Sequence, residues 1–162
     1  MSTTDTNTTS FDNDSSVVIA PAATSTVNSN DIETRYQATE AQLSSQQSDA
    51  GNCAYNEISS LSFVGQLDAD TLRAAIDKVV QRHGSLRSTL SADGQEVLVH
   101  KSLACDFEFV DFSETAADEI EESLVAVVQR QSRMPFHLIN GPLVRVVLQK
   151  IAPEEHLSLI HI

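Results

Sequence analysis

The sequence predicts an α/β fold, an α+β two-layer sandwich in which a mixed sheet carries two long helices. Two observations carry this prediction. Apolar residues recur at helical spacing in two stretches: Leu72, Ala75, Ile76, Val79 and Val80, and later Ile120, Leu124, Val127 and Val128. Between and after them lie short apolar or alternating runs of strand length, around Ile58 to Phe63, Val97 to Val99, Phe107 to Val110 and Leu143 to Ile151. Strands that alternate with helices bury their apolar faces by layering one on the other.

The elements follow in order. Residues 1 to 34 read as a disordered linker or tail. Ser, Thr, Asn and Asp dominate up to Asp31, and the short patch Val17-Val18-Ile19-Ala20 ends at Pro21. That composition buries too little to offset the entropy of ordering. The ordered part runs from 35 to 162. Ala38 to Gln47 suits a short helix capped by Thr39, with Leu43 inward. Asn56 to Val64 suits a strand ended by Gly65. Asp68 or Asp70 caps the first long helix, and Gly84 stands where a left-handed residue would stop it. Leu86 to Leu90 suits a strand, Asp93-Gly94 a hairpin turn, and Val97 to Val99 the returning strand. The second long helix is expected from about Thr115 to Arg133, with Asp118, Glu119, Glu121 and Glu122 near its positive end and Pro135 beyond it. Strands then run from Leu143 to Ile151 and from His156 to Ile162. Nothing follows the last one, which reads as the mark of a truncated chain with an unpaired final strand.

Charge and composition exclude several classes. The chain has 162 residues, 10 Lys and Arg against 23 Asp and Glu, and a formal net charge of −13. An acidic surface repels nucleic-acid phosphates and anionic lipid headgroups alike, so neither nucleic acid nor membrane is an expected partner. No apolar run approaches the roughly 20 residues of a membrane span, and no signal peptide is visible. A cytoplasmic protein is expected, with Cys53 and Cys105 as buried structural thiols. No metal-ligand spacing, P-loop, dinucleotide glycine pattern or Ser–His–Asp set occurs.

Three stretches carry a resemblance. Arg82-His83-Gly84-Ser85-Leu86-Arg87-Ser88-Thr89-Leu90 is similar to RHExLRTxF. Pro135-Phe136-His137-Leu138-Ile139-Asn140-Gly141-Pro142-Leu143-Val144-Arg145 is similar to PFDLxxGPLxR. Thr39-Glu40-Ala41-Gln42, with Ala54-Tyr55-Asn56-Glu57 and Gly65-Gln66-Leu67-Asp68 after it, resembles an opening motif and first strand. Together they resemble the condensation domains of nonribosomal peptide synthetases, enzymes of secondary-metabolite biosynthesis. Gly84 departs from the family's acidic residue, Ser88 from its threonine, and Leu43-Ser44-Ser45 lacks the aromatic residue of the opening motif.

The resemblance implies part of a chloramphenicol-acetyltransferase-like lobe and an acyltransferase that forms amide bonds. Its substrates would be acyl or peptidyl and aminoacyl thioesters on the phosphopantetheine arms of carrier proteins, and no cofactor would be bound directly. Carrier domains and neighbouring synthetase modules are the implied partners. The family's catalytic motif, HHxxxDG, is expected beyond Ile162, so no catalytic residue is present and the fragment is expected to be inactive. His161 is followed by Ile162 and does not match the histidine pair. Leu157-Ser158-Leu159-Ile160-His161-Ile162 also matches the translation of a transposon adapter used in sequencing libraries, which leaves native strand and adapter both open.

Two residues are assigned structural support of the active site. Arg87 is expected to clasp the motif's Asp, because a planar guanidinium suits a partly buried carboxylate. Arg82 is the second choice, with a solvated helix-end cation as its bland reading. His83 reads as a core or boundary histidine on its helix's apolar stripe, His100 and His137 as surface residues, His156 as a strand-entry residue without a partner, and Arg145 as half of a structural ion pair. The rival functions are an epimerisation or ester-forming acyltransferase domain sharing the lobe, and a non-catalytic binding module.

Overall fold

The computed structural model describes residues 29–47, 53 and 55–162. The tail expected at the N-terminus lies mostly outside these residues. The first strand, β1 (Ile32–Gln37), takes in positions 32 to 34, which the composition assigns to that tail. There follow α1 (Glu40–Gln47), β2 (Ile58–Val64), α2 (Ala69–Arg82), β3 (Ser88–Leu90), β4 (Glu96–His100), β5 (Asp106–Asp111), α3 (Ile120–Ser132), β6 (Arg145–Ala152) and β7 (Glu155–His161).

The mixed α/β class is as expected, but the strands divide between two sheets where the sequence suggests one. β1, β4 and β3 form an antiparallel sheet in that order. β2, β7, β6 and β5 form a mixed sheet in which β5 and β6 are the parallel pair. That pair is joined through α3, the crossover that parallel neighbours require.

The two long helices sit on opposite faces of the mixed sheet. Val80 of α2 packs with Val144, Val146 and Cys105, and Ile76 and Phe107 border that cluster. Val127 of α3 packs instead with Val147 and Leu159. Val146 and Val147 are consecutive on β6, so their side chains point to opposite faces. Both are almost wholly buried, which makes β6 the spine of the fold.

The last strand is not an unpaired edge. β7 lies inside the sheet, with β2 on one side and β6 on the other. Ser158 at its centre faces Leu61 of β2 and Leu148 of β6, which ties the chain's end to its middle. The outer strands are β2 and β5, and on β2 Val64 is 89% exposed, with Ile58 and Leu61 also exposed.

Local signals account for most boundaries. The Asp68 side chain accepts from the Thr71 N–H at 2.7 Å and starts α2. Thr39 and Gln42 exchange hydrogen bonds at the start of α1, the Thr39 N–H donating to Gln42 Oε1 at 2.9 Å. Gly65 ends β2 at φ +113 and Gly94 turns the β3–β4 hairpin at φ +72, both conformations that favour glycine. Asp93 steadies that turn by accepting from Ser91 Oγ at 2.6 Å, and this hydrogen bond, ahead of the Gln95 N–H, lowers its pKa. Helix α3 begins at Ile120, later than the expected Thr115. The residues between form turns instead, with the Glu119 N–H donating to the Ala116 carbonyl.

Candidate functional site

The site grows from the end of α2. The helix stops at His83, whose N–H donates to the Val79 carbonyl, with the His83 backbone extended at φ −107 and ψ 105. Gly84 therefore does not end the helix by a left-handed conformation, contrary to expectation. It opens a 3-10 turn over Gly84–Arg87, which replaces the first part of the strand expected from Leu86. A Cβ at Gly84 would stand 3.2 Å from Val99 Cγ1, so the turn packs closely on β4.

The turn swings Arg87 inward. Arg87 is 7% exposed. Its Nε donates to the Gln81 carbonyl at 3.2 Å, and its Nη1 contacts the Glu33 carboxylate at 2.5 Å and the His100 carbonyl. A charge so deep is tolerable only with such partners. The helix end, β1 and β4 thus converge on one guanidinium, whose Nη2 lies outside these three contacts.

Beside it, the ring of His100 meets Thr89 Oγ1 through Nε2 at 2.8 Å. His100 is buried, not a surface residue as the sequence suggests. Burial lowers its pKa, nearby Asp31 pulls it back up, and Arg87 lowers it further. The segment between α3 and β6 closes the far side. The Leu90 N–H donates to the Leu138 carbonyl at 2.8 Å, and Gly141, at φ +60 before a cis Pro142, comes close to Thr89. A cavity of about 690 Å³ opens over this region, bordered by Glu33, Tyr36, Gln42, Arg87, Thr89 and Leu138. Two of the three recognised stretches thus meet at its wall, and the third supplies Thr39 and Gln42.

The other assigned residues are placed as follows. Arg82 is exposed in the last turn of α2 and forms no ion pair among the described residues. His83 is exposed, not on the buried stripe, because the chain leaves helical geometry there. His137 is exposed and contacts Asn140. His156 is buried in β7. Of the cysteines, Cys105 is a buried free thiol and Cys53 is partly buried.

Arg145 lies on the α3 face of the mixed sheet, away from this cluster. It pairs with Asp106 at 3.4 Å, donates to Gln131 Oε1 at 3.2 Å, and stacks 4.7 Å above the Phe136 ring. Gln131 Nε2 in turn donates to Glu108 at 2.9 Å. This is the structural ion pair expected of it, extended into a network. Among the described residues no helix is long and apolar enough to cross a membrane.

Sequence reasoning missed Glu33, Thr89 and His100. The signal for the last two was present. An Asp-Gly hairpin pairs Leu90 with Val97 and Ser88 with Val99, and one more step sets Arg87 opposite His100.

A mixed α/β lobe thus presents a buried arginine beside an open cavity. The family profile described as Condensation domain matches residues 32–162, and the chain belongs to that family. It is 32% identical over 117 residues to tyrocidine synthase 3 of Brevibacillus parabrevis, covering 71% of this chain and 2% of the relative. It is 33% identical over 111 residues to surfactin synthase subunit 2 of Bacillus subtilis (strain 168), covering 67% of this chain and 3% of the relative. Among solved structures, the starter condensation domain of rhizomide synthetase matches with a TM-score of 0.68 at 22% identity, over 79% of this chain and 33% of that one. The cyclization-docking bidomain from Sorangium cellulosum matches with a TM-score of 0.66 at 22% identity, over 82% and 27%. The chain therefore spans a few hundredths of the synthetases it resembles and about a third of a solved condensation domain.

Proposed function

We propose that this chain is the N-terminal portion of a condensation domain that joins two carrier-protein-bound thioesters through an amide bond. The acceptor's α-amine attacks the donor's thioester carbonyl, the C–N bond forms, the C–S bond breaks, and the carrier thiol leaves with a proton. Holding both reactants in one tunnel makes the encounter nearly unimolecular. The sequence holds no adjacent pair of histidines, so the proton-handling group of HHxxxDG comes from outside these residues.

The observation that carries this reading is the buried Arg87 at the cavity wall. Its Nη2 is outside the contacts to Gln81, Glu33 and His100, and a carboxylate from the catalytic loop would accept a charge-assisted hydrogen bond from it. Arg87 then braces that loop without touching substrate. Arg82, exposed and without an ion pair among the described residues, is the second choice for that role.

The test is an assay with loaded aminoacyl and peptidyl carrier proteins. The complete domain forms the amide and the present chain does not. Turnover by the present chain, or its absence from the complete domain, would refute the reading. An ester-forming or epimerising domain that shares this lobe is the second outcome, which the assay distinguishes by product.

A further inference from the structure

We propose that Thr89 and His100, which lie outside the specified letters of the recognised motifs, are positioning residues for Arg87. The hydroxyl and imidazole lock the end of β4 whose carbonyl grips the guanidinium. This rests on the reading above for its meaning in catalysis, but its geometry stands alone. Ser88 pairs with Val99 and Thr89 with Leu98, so Thr89 and His100 are diagonal neighbours across the hairpin and within side-chain reach. Both are buried, and their contact is 2.8 Å. His100 thus serves Arg87 twice: its backbone oxygen accepts from Nη1, and its ring is held in place by Thr89.

The surroundings say which form of the ring does this. Thr89 on β3 is a neutral partner that can donate or accept, so it suits the uncharged imidazole in either tautomer. The charged groups around the ring are Asp31, in the turn before β1, and Arg87, in the turn before β3. Glu33 on β1 is already engaged by Arg87, and Lys101 follows on the same chain with its ammonium on the Asn30 carbonyl. An imidazolium would therefore sit beside a guanidinium in a buried pocket with one partly compensating carboxylate. Protonation of His100 loosens the grip on Arg87.

The alternative is that Thr89 and His100 merely fill space. Hydrogen exchange of the Arg87 Nε–H, followed by ¹⁵N NMR on the full 162-residue chain, separates the two. Measured against free arginine at the same pH, whose base-catalysed exchange itself slows on acidification, the Nε–H should be protected at pH 7.5 and lose that protection in step with titration of the His100 ring as pH falls. Thr89→Val keeps the shape and removes the hydroxyl. It should speed Nε–H exchange by about tenfold, the factor carried by one hydrogen bond of ordinary strength. Thr89→Ser should restore protection. Unchanged exchange in Thr89→Val, persistence of protection through the His100 titration, or free-arginine exchange in the unsubstituted chain at pH 7.5 would overturn the proposal. None of these readouts uses condensation activity, so an inactive complete domain would count against the proposed function and leave this inference intact.

Discussion

A Cβ placed on Gly141 would stand 2.9 Å from Thr89 Cγ2, closer than real Cβ contacts come. The segment before β6 and the strand β3 therefore touch backbone to side chain, with Leu103 Cδ2 only 3.1 Å away on a third side. Gly141 also holds φ +60, where an L side chain costs about 1–2 kcal/mol. Gly141→Ala should lower the unfolding free energy by about 2–3 kcal/mol, strain and overlap together. A urea midpoint unchanged from the parent would show that the approach is not so close.

Arg145 and Asp106 should respond unequally to removal. Asp106 is 57% exposed on its side of the pair, and exposed partners contribute little. Asp106→Asn should cost under about 1 kcal/mol. Arg145 is buried, fills space over Phe136 and satisfies Gln131. Arg145→Ala should cost about 2–4 kcal/mol. Denaturant melts of both variants check the ratio.

Stability should fall on acidification. His100 and His161 both have pKa values lowered from the ordinary 6.5, His161 by burial and then by Arg145. A lowered histidine pKa means that the folded state holds fewer protons than the unfolded one, so folding is undisturbed above pH 6.5. As pH drops below 6.5 towards the folded values, the unfolded chain gains protons first and the fold loses stability. Thermal melts between pH 7.5 and pH 5 should show a falling midpoint. His161 is 0% exposed with neither ring nitrogen partnered, so H161L should flatten the curve.

Cys105 should resist alkylation. Burial first, then Asp106 and Asp77, push its thiol up to about 11, and the thiolate is the reactive form. Iodoacetamide at pH 8 should leave Cys105 unmodified in the folded chain and label it after denaturation, read by peptide mass. Labelling of the native chain at the rate of a free thiol would contradict the packing of Val80 around it.

The exposed β2 edge predicts self-association. Ile58, Leu61 and Val64 face solvent on an outer strand, and such edges recruit further strands. Leu61→Lys should shift the chain towards monomer in light scattering at equal concentration, with no change in the melt.

The two helices and the interior strands are legible in the sequence because each carries a long apolar period: the stripe from Leu72 to Val80 and the run from Val144 to Leu148 admit few other readings. β1 is hidden because Ile32, Thr34 and Tyr36, alternating with Glu33, Arg35 and Gln37, offer only one fully aliphatic side chain on their face, and pairing with β4 supplies what the side chains do not. The last strand looks isolated in the sequence, since nothing local reveals that β7 inserts between β2 and β6. Arg87 is readable from a motif. His100 follows from the hairpin register, but Glu33 does not, because it comes from a strand 54 residues away.

The role proposed for the buried Arg87 guanidinium, already gripped on Nε and Nη1, requires a carboxylate from a catalytic loop on the remaining side. Sequencing the genomic DNA from codon 156 onward asks this without any assay. A reading frame that continues into paired histidines followed by Asp-Gly, close after β7, is the expected result. A stop codon there, or a continuing frame without that loop, would contradict it.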